Sequence, residues 1–277
     1  MSSILIARSN LLLFRRMGTG CLTNPVGECM LAVCVAAWMA TALRPAVELD
    51  HIWIVVQPQA PERKILEQAG FHIAPTVNKH VGQGTASITI EFENAFLELL
   101  WPDPSVPVSP GLERATKKFT ERMNWRTSGW CPFGIGMDRT EGSSDPLPVP
   151  TWKITADWLR PGTAIEMLTP RDDTKSPSLF VSPSYLAEAD ASQRKAAASD
   201  PKLADLYRQP IGVHRITGVR LVGPSSYQPI PALAFVEEAK VLSYESGKEW
   251  FLQITFDGGA KGKAKDFRPT LPLKVLY

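Results

Sequence analysis

Four histidines and a few enclosed carboxylates hold most of the chemistry this sequence could perform. His51 stands in Leu49-Asp50-His51-Ile52-Trp53-Ile54-Val55-Val56, a run dense in β-branched and aromatic residues that reads as a buried strand. Alternation along such a strand puts His51, Trp53 and Val55 on one face. Glu98 lies in Phe96-Leu97-Glu98-Leu99-Leu100, where the same rule groups Phe96, Glu98 and Leu100. A carboxylate enclosed by apolar residues needs a partner. An imidazole and a carboxylate meeting on one face could chelate a borderline or hard divalent ion, and perturbed buried charges often mark functional sites. His80 precedes the turn Gly82-Gln83-Gly84, a loop position from which side chains commonly act. His72, beside Phe71 on an expected strand, reads as structural. Cys131, in an apolar run from Gly129 to Met137, reads as a buried, inert thiol.

The elements that must position these residues follow in order. Pro61 and Glu62 open a helix that Gly70 stops. Strands are expected over Phe71–Val77, Ser87–Glu93 and Phe96–Trp101, the second with Ile88, Ile90 and Phe92 against Thr89, Glu91 and Glu93. Residues 111–124 form an amphipathic helix with Leu112, Ala115, Phe119 and Met123 on one stripe. A second block has strands at Trp130–Met137, Trp152–Leu159, Thr163–Leu168 and Leu179–Val181, then an alanine-rich surface helix from Tyr185 to Tyr207, broken at Pro201. A third block has strands at Ile216–Val222, Trp250–Phe256 and Leu273–Leu276, with a helix around Pro231–Lys240. SITIEFEN with FLELL, and FLQITFDG with PLKVL, suggest a diverged internal repeat.

The chain has 277 residues, 30 basic and 28 acidic, with 44% apolar and 21% charged residues. That composition excludes disorder, collagen and a whole-chain coiled coil. Residues 1–47 carry Arg8, Arg15, Arg16 and Arg44 against Glu28 alone, which leaves the body near neutral. A near-neutral body lacks the basic footprint of a nucleic-acid binder. Three of the four cysteines also lie in residues 1–47, so the body is no disulfide scaffold. Met30–Leu43 is an uncharged run of 14 residues, shorter than the roughly 20 a membrane span needs. With Ala40-Thr41-Ala42 as a cleavage site, it suits a signal peptide and an exported, periplasmic protein. An over-extended start, with Met17 or Met30 as the true one, or a mitochondrial-type presequence are the rival readings; without an export signal the protein is cytoplasmic.

LDHIWIVV, APERKILEQAGF, GQGTASITIEF and FLELL, in that order, resemble the glyoxalase-like branch of the vicinal oxygen chelate superfamily. GTAIEML with SLFVS resembles the middle segment of that family, and GVHRITGVRLV the start of its last module; the likeness spans residues 48–277 and is densest over 48–104. The resemblance implies an α+β fold of paired βαβββ modules, of the glyoxalase/bleomycin-resistance/dioxygenase type. These form an open, cupped, antiparallel-rich sheet, with modules at 48–104, 125–185 and 211–277. It makes the first and fourth strands of a module neighbours and implies His51 and Glu98 as ligands of a divalent ion such as zinc, manganese, nickel or iron. His80, just before the glycine turn, is close enough in sequence to reach the same cup as a further candidate ligand. The matching positions of the last block are Gly218 and Lys274, neither a conventional ligand, and His214 lies four residues out of register. Glu98 and Glu166 are then the candidate proton-moving carboxylates, and Trp53, Gln83, Trp158 and Arg160 the candidate substrate contacts. The leading expectation is metal-assisted lyase, isomerase or dioxygenase chemistry on a small molecule. The alternative is a metal-free protein that sequesters a small molecule on the same fold. The partners expected are that small molecule and, in a homodimer, a second copy of the chain, with no nucleic acid.

Overall fold

The computed structural model describes residues 46–277 apart from 141, 142, 144, 157 and 174, all within one unit, Leu43–Tyr277. The readings of a signal peptide, a presequence or a late start therefore lie outside the described residues. The fold is α+β, with one curled eight-stranded sheet and one of five strands. No helix among the described residues is long and apolar enough to cross a membrane.

The first four strands are β1 (Val47–Val55), β2 (Asn78–His80), β3 (Thr85–Glu91) and β4 (Phe96–Pro102), with helix α1 (Arg63–Ala69) after β1. The next four are β5 (Phe133–Arg139), β6 (Trp152–Ile154), β7 (Ile165–Met167) and β8 (Ser178–Val181), preceded by α2 (Glu113–Met123) and α3 (Trp125–Ser128). Together they make the large sheet in the order β2-β3-β4-β1-β5-β8-β7-β6. Each quartet thus pairs its first strand with its last and puts its second strand at the outer edge. β1 and β4 run parallel, with Trp53 opposite Glu98, and β1 meets β5 antiparallel at the centre.

Alternation divides the sheet into two unlike faces. Ile52, Ile54, Ile88, Ile90, Leu99 and Ile135 point outward into one continuous core. His51, Trp53, Glu98 and Phe180 belong to the inner face, where Trp53, Val55, Leu100, Met167 and Phe180 form a separate apolar cluster. α2 lies across one end of this inner face, with the Phe119 ring 5.6 Å from Trp53. α4 (Ser184–Ala197) and α5 (Pro201–Tyr207) lie toward the other end, touching β5 and β3.

The remaining chain builds β9 (Ile216–Pro224), α6 (Pro231–Glu238), β10 (Ser243–Gly247), β11 (Phe251–Phe256), β12 (Ala264–Asp266) and β13 (Leu273–Leu276). Its sheet order is β10-β9-β11-β13-β12. It packs on the outer face of the large sheet through Phe71, Phe92, Phe256 and Phe267, with Phe92 and Phe256 ring centroids 4.7 Å apart.

Several expectations need correction. Phe71–Val77 is no strand, because Pro75 removes a ladder donor, and β2 begins only at Asn78. The Trp152 strand stops at Ile154, where Leu159 N–H turns back to the Ala156 carbonyl. β10 and β12 were not anticipated. The repeat between the first and last blocks does not extend to their pairing, since β3 and β4 are antiparallel whereas β11 and β13 are parallel. Gly218 and Lys274 lie in the small sheet, not in the one that carries His51 and Glu98, so they form no second half of that site. Val47, the last of the residues set apart from the near-neutral body, is fully buried in β1 and belongs to the core.

Candidate functional site

The site begins with an irregularity in β1. Leu49 pairs with Met137 and His51 with Gly136, so Asp50 is an extra residue, a β-bulge. Before the bulge, Val47 and Leu49 face the outer core; after it, Ile52 and Ile54 do. The phase shift brings neighbouring residues 50 and 51 to the same face. Asp50 Oδ2 therefore lies 2.7 Å from His51 Nδ1 and accepts from Ser182 Oγ at 3.3 Å, while Asp50 Oδ1 is buried with no partner among the described residues. The His51 ring stacks on Phe96 at 4.5 Å and meets the edge of Phe180 at 5.4 Å.

Glycine makes this packing possible. A Cβ on Gly136 would stand 2.4 Å from the His51 ring, and one on Gly134 would stand 1.9 Å from the Trp53 ring. The two large side chains of β1 lie over the bare backbone of β5.

Charge at this end of the inner face is dense and shielded. Burial alone would lower the His51 pKa, but the Asp50 carboxylate and its hydrogen bond, with Glu98 and Asp138, push it up to about 9. Burial also pushes the Asp138 carboxyl up, to about 7, reinforced by repulsion from Asp50 and Asp190. Burial opposes ionisation of Asp50, yet His51 holds its pKa below the usual carboxylate value. Asp190 and Arg194 of α4 both act on Asp50. The alanine-rich helix has no fully buried residue, but its half-buried Asp190 and Arg194 belong to the surroundings of Asp50 and His51.

Glu98, buried between apolar neighbours, finds His80 Nε2 at 3.6 Å, while His80 Nδ1 lies 3.0 Å from Thr85 Oγ1. The metal expectation is tested by these donors. Among the described residues no three His, Cys, Asp or Glu side chains are grouped to hold an ion. His51 Nδ1 faces Asp50, which leaves Nε2 as its one ring nitrogen for an ion, and Glu98 lies 3.6 Å from His80 Nε2. The residues present do not fit a three-ligand chelate.

At the α2 end, the inner face opens into a cavity of about 240 Å³. Trp53, Gln83 and Trp158 line it, joined by Trp152, Met167 and Phe180. The glycine turn is fastened to α2 by Thr116 Oγ1, which donates to the Gln83 carbonyl at 2.8 Å. Arg160 does not line the cavity; its guanidinium stacks 4.2 Å over Tyr185 instead. Glu166 also departs from expectation. Ile165 and Met167 face the cavity, so alternation turns Glu166 away, where Arg139 and Thr151 each donate to it at 2.8 Å. Burial opposes its ionisation, but these two hydrogen bonds lower its pKa.

His72 is structural: its N–H donates to Gln209 Oε1, and Nδ1 lies 2.8 Å from the Asp205 carbonyl. Cys131 is buried, and burial pushes its thiol up to about 12. His214 pairs with Glu93 at the surface. Sequence reasoning passed over Asp138, the bulge at Asp50, and the cationic edge of α2. Arg114, Lys118 and Arg122 form an i, i+4, i+8 row beside the apolar stripe of Leu112, Ala115, Phe119 and Met123.

No family model matches the chain, and no curated protein does. Among solved structures, a crystal structure of a hypothetical protein from Staphylococcus aureus is similar to it at a TM-score of 0.46 and 12% identity. The likeness covers 83% of this chain and 98% of that one.

Proposed function

We propose that this is a glyoxalase-like small-molecule protein whose inner-face cavity binds its ligand without a metal at His51, His80 and Glu98. On this reading the two quartets are paired modules of the βαβββ kind. The first keeps its helix α1, and the second has no helix among the described residues between β5 and β6. The observation that carries the proposal is the cavity itself. Its walls come from both quartets, with Trp53 from β1 and Trp152, Met167 and Phe180 from β6, β7 and β8, and α2 closes one side. Concave, mainly apolar clefts with a few convergent polar groups are the usual form of small-molecule sites.

An enzyme is the second reading, favoured by the Asp50–His51 pair and the neighbouring Asp138 carboxyl. A carboxyl held near neutrality can give or take a proton. Phe180 separates His51 from the cavity, edge-on to the imidazole and itself part of the wall. Binding therefore needs no motion, whereas proton transfer to a bound molecule needs Phe180 to swing aside. Metal content after incubation with zinc, manganese, nickel or iron(II), followed by desalting, tests the proposal. Well under one ion per chain is expected, and one ion per chain that is lost in His51→Ala would overturn it.

A further inference from the structure

Resting on that reading of the cavity, we infer that its ligand is an organic anion with a flat apolar body. The apolar part follows from the walls, which include the rings of Trp53, Phe119, Trp152 and Phe180. At about 30 Å³ per water, the cavity holds about eight waters, room for a one- or two-ring aromatic.

The sign of charge follows from α2 and the loop opposite. Arg114, Lys118, Arg122 and Arg171 all line the cavity, against Asp173 as the one carboxylate among the described lining residues. Arg114 is spent on Asp172, 2.6 Å away at the exposed rim. The other three have no ion pair among the described residues. Arg122 is 4% exposed, and among the described residues its donors reach the main-chain carbonyls of Cys131 and Ser176. Its guanidinium lies 5.7 Å from the Trp53 ring centroid. Lys118 donates to the Arg171 carbonyl, and the Arg171 guanidinium stacks 4.2 Å over Trp152. Asp173 is turned to its own loop, accepting from the amides of Lys175 and Ser176 and from Ser176 Oγ.

Buried cations are normally paired, because an uncompensated charge in an apolar place is costly. Here Arg122 is buried beside an apolar hole without a paired carboxylate, and Lys118 is half-buried and Arg171 exposed along the same wall. Asp173 is the one carboxylate near them among the described lining residues. A ligand carboxylate or sulfonate seated near Lys118 and Arg122 would complete the charge, while its rings lie against Trp53 and Trp152. Planar guanidinium groups suit an oxyanion of this kind.

The test compares 2-naphthoate with 2-naphthylmethanol, the same rings without charge, by titration calorimetry and tryptophan fluorescence on the whole protein. Naphthoate should bind at least about tenfold tighter, and the preference should shrink with added salt. Arg122→Met removes buried hydrogen bonds and could impair folding, so Lys118→Met and Arg171→Met are the variants to read. Each should weaken naphthoate several-fold and leave naphthylmethanol unchanged. Equal affinities for the two probes would overturn the inference and leave the cavity reading standing. Binding of neither at millimolar concentration would overturn both.

Discussion

Beneath α2 the inner face is aromatic and cationic and stays open; beneath α4 the same sheet is acidic and closed over His51. Both ends are built by the same strands. Trp53 and His51 lie two residues apart in β1, and Gly134 and Gly136 give way beneath them in β5. The difference comes from the bulge at Asp50 and from the helix above each end. α2 offers Arg114, Lys118 and Arg122 beside Ala115 and Phe119, whereas α4 offers Asp190 and Arg194. A curved sheet supplies positions, and local irregularity and roof decide their chemistry.

The widest test of that contrast is a substitution that should ignore it. Ile52→Ala on the outer face removes fully buried apolar volume beneath both ends and should cost about 2–5 kcal/mol by urea unfolding. Ligand binding, measured where the variant remains folded, should be nearly unchanged.

The two glycines should then separate the ends. Gly134→Ala drives a Cβ into the Trp53 ring, and Gly136→Ala drives one into the His51 ring. Each should destabilise by about 1–3 kcal/mol, as overpacking does. Only Gly134→Ala should also lose affinity for a naphthyl probe. Equal loss from both variants would mean that the two ends act as one site.

Acidity should sharpen the closed end. The folded pKa of Asp138, about 7, lies above its ordinary 3.8, so folding takes up a proton and stability falls as pH rises from about 4 to 7. The folded pKa of His51, about 9, lies above 6.5, so its contribution is complete below about 6.5 and lost as pH rises through 9. Both slopes run the same way. Asp138→Asn should flatten the lower window of the urea midpoint against pH, and His51→Gln the upper one. Unaltered slopes in both variants would deny the acidic end its coupling.

The smallest effects belong to residues that the sequence singled out and the fold turned away. Glu166→Gln and Arg160→Ala should leave probe affinity within about twofold, because neither side chain faces the cavity. A tenfold loss from either would move the ligand from where the geometry puts it.

Much of the frame could be read from alternation. His51 and Glu98 share the inner face on adjacent strands because the period of β1 and β4 is regular beyond residue 50. The helix stripe of Ala115, Phe119 and Met123 was equally plain, and it is the side of α2 that meets Trp53. What escaped were features without a local period. A one-residue bulge has no composition of its own, and the three-residue strands β2, β6 and β7 are too short to alternate visibly. Asp138 looks like any strand-end aspartate until Asp50 and Asp190 are folded against it. The cationic row of α2 reads as a solvated face, and only the β6–β8 hairpins opposite turn it into a wall.

The central claim is that the α2 end binds a small molecule and needs no metal to do so. Tryptophan-fluorescence titration of the whole protein with 2-naphthoate, first in excess EDTA and then with zinc or manganese added, tests it most directly. The same saturable quenching is expected in both conditions, lost in Gly134→Ala and retained in His51→Ala. Binding that appears only when the metal is added, and vanishes in His51→Ala, would contradict it.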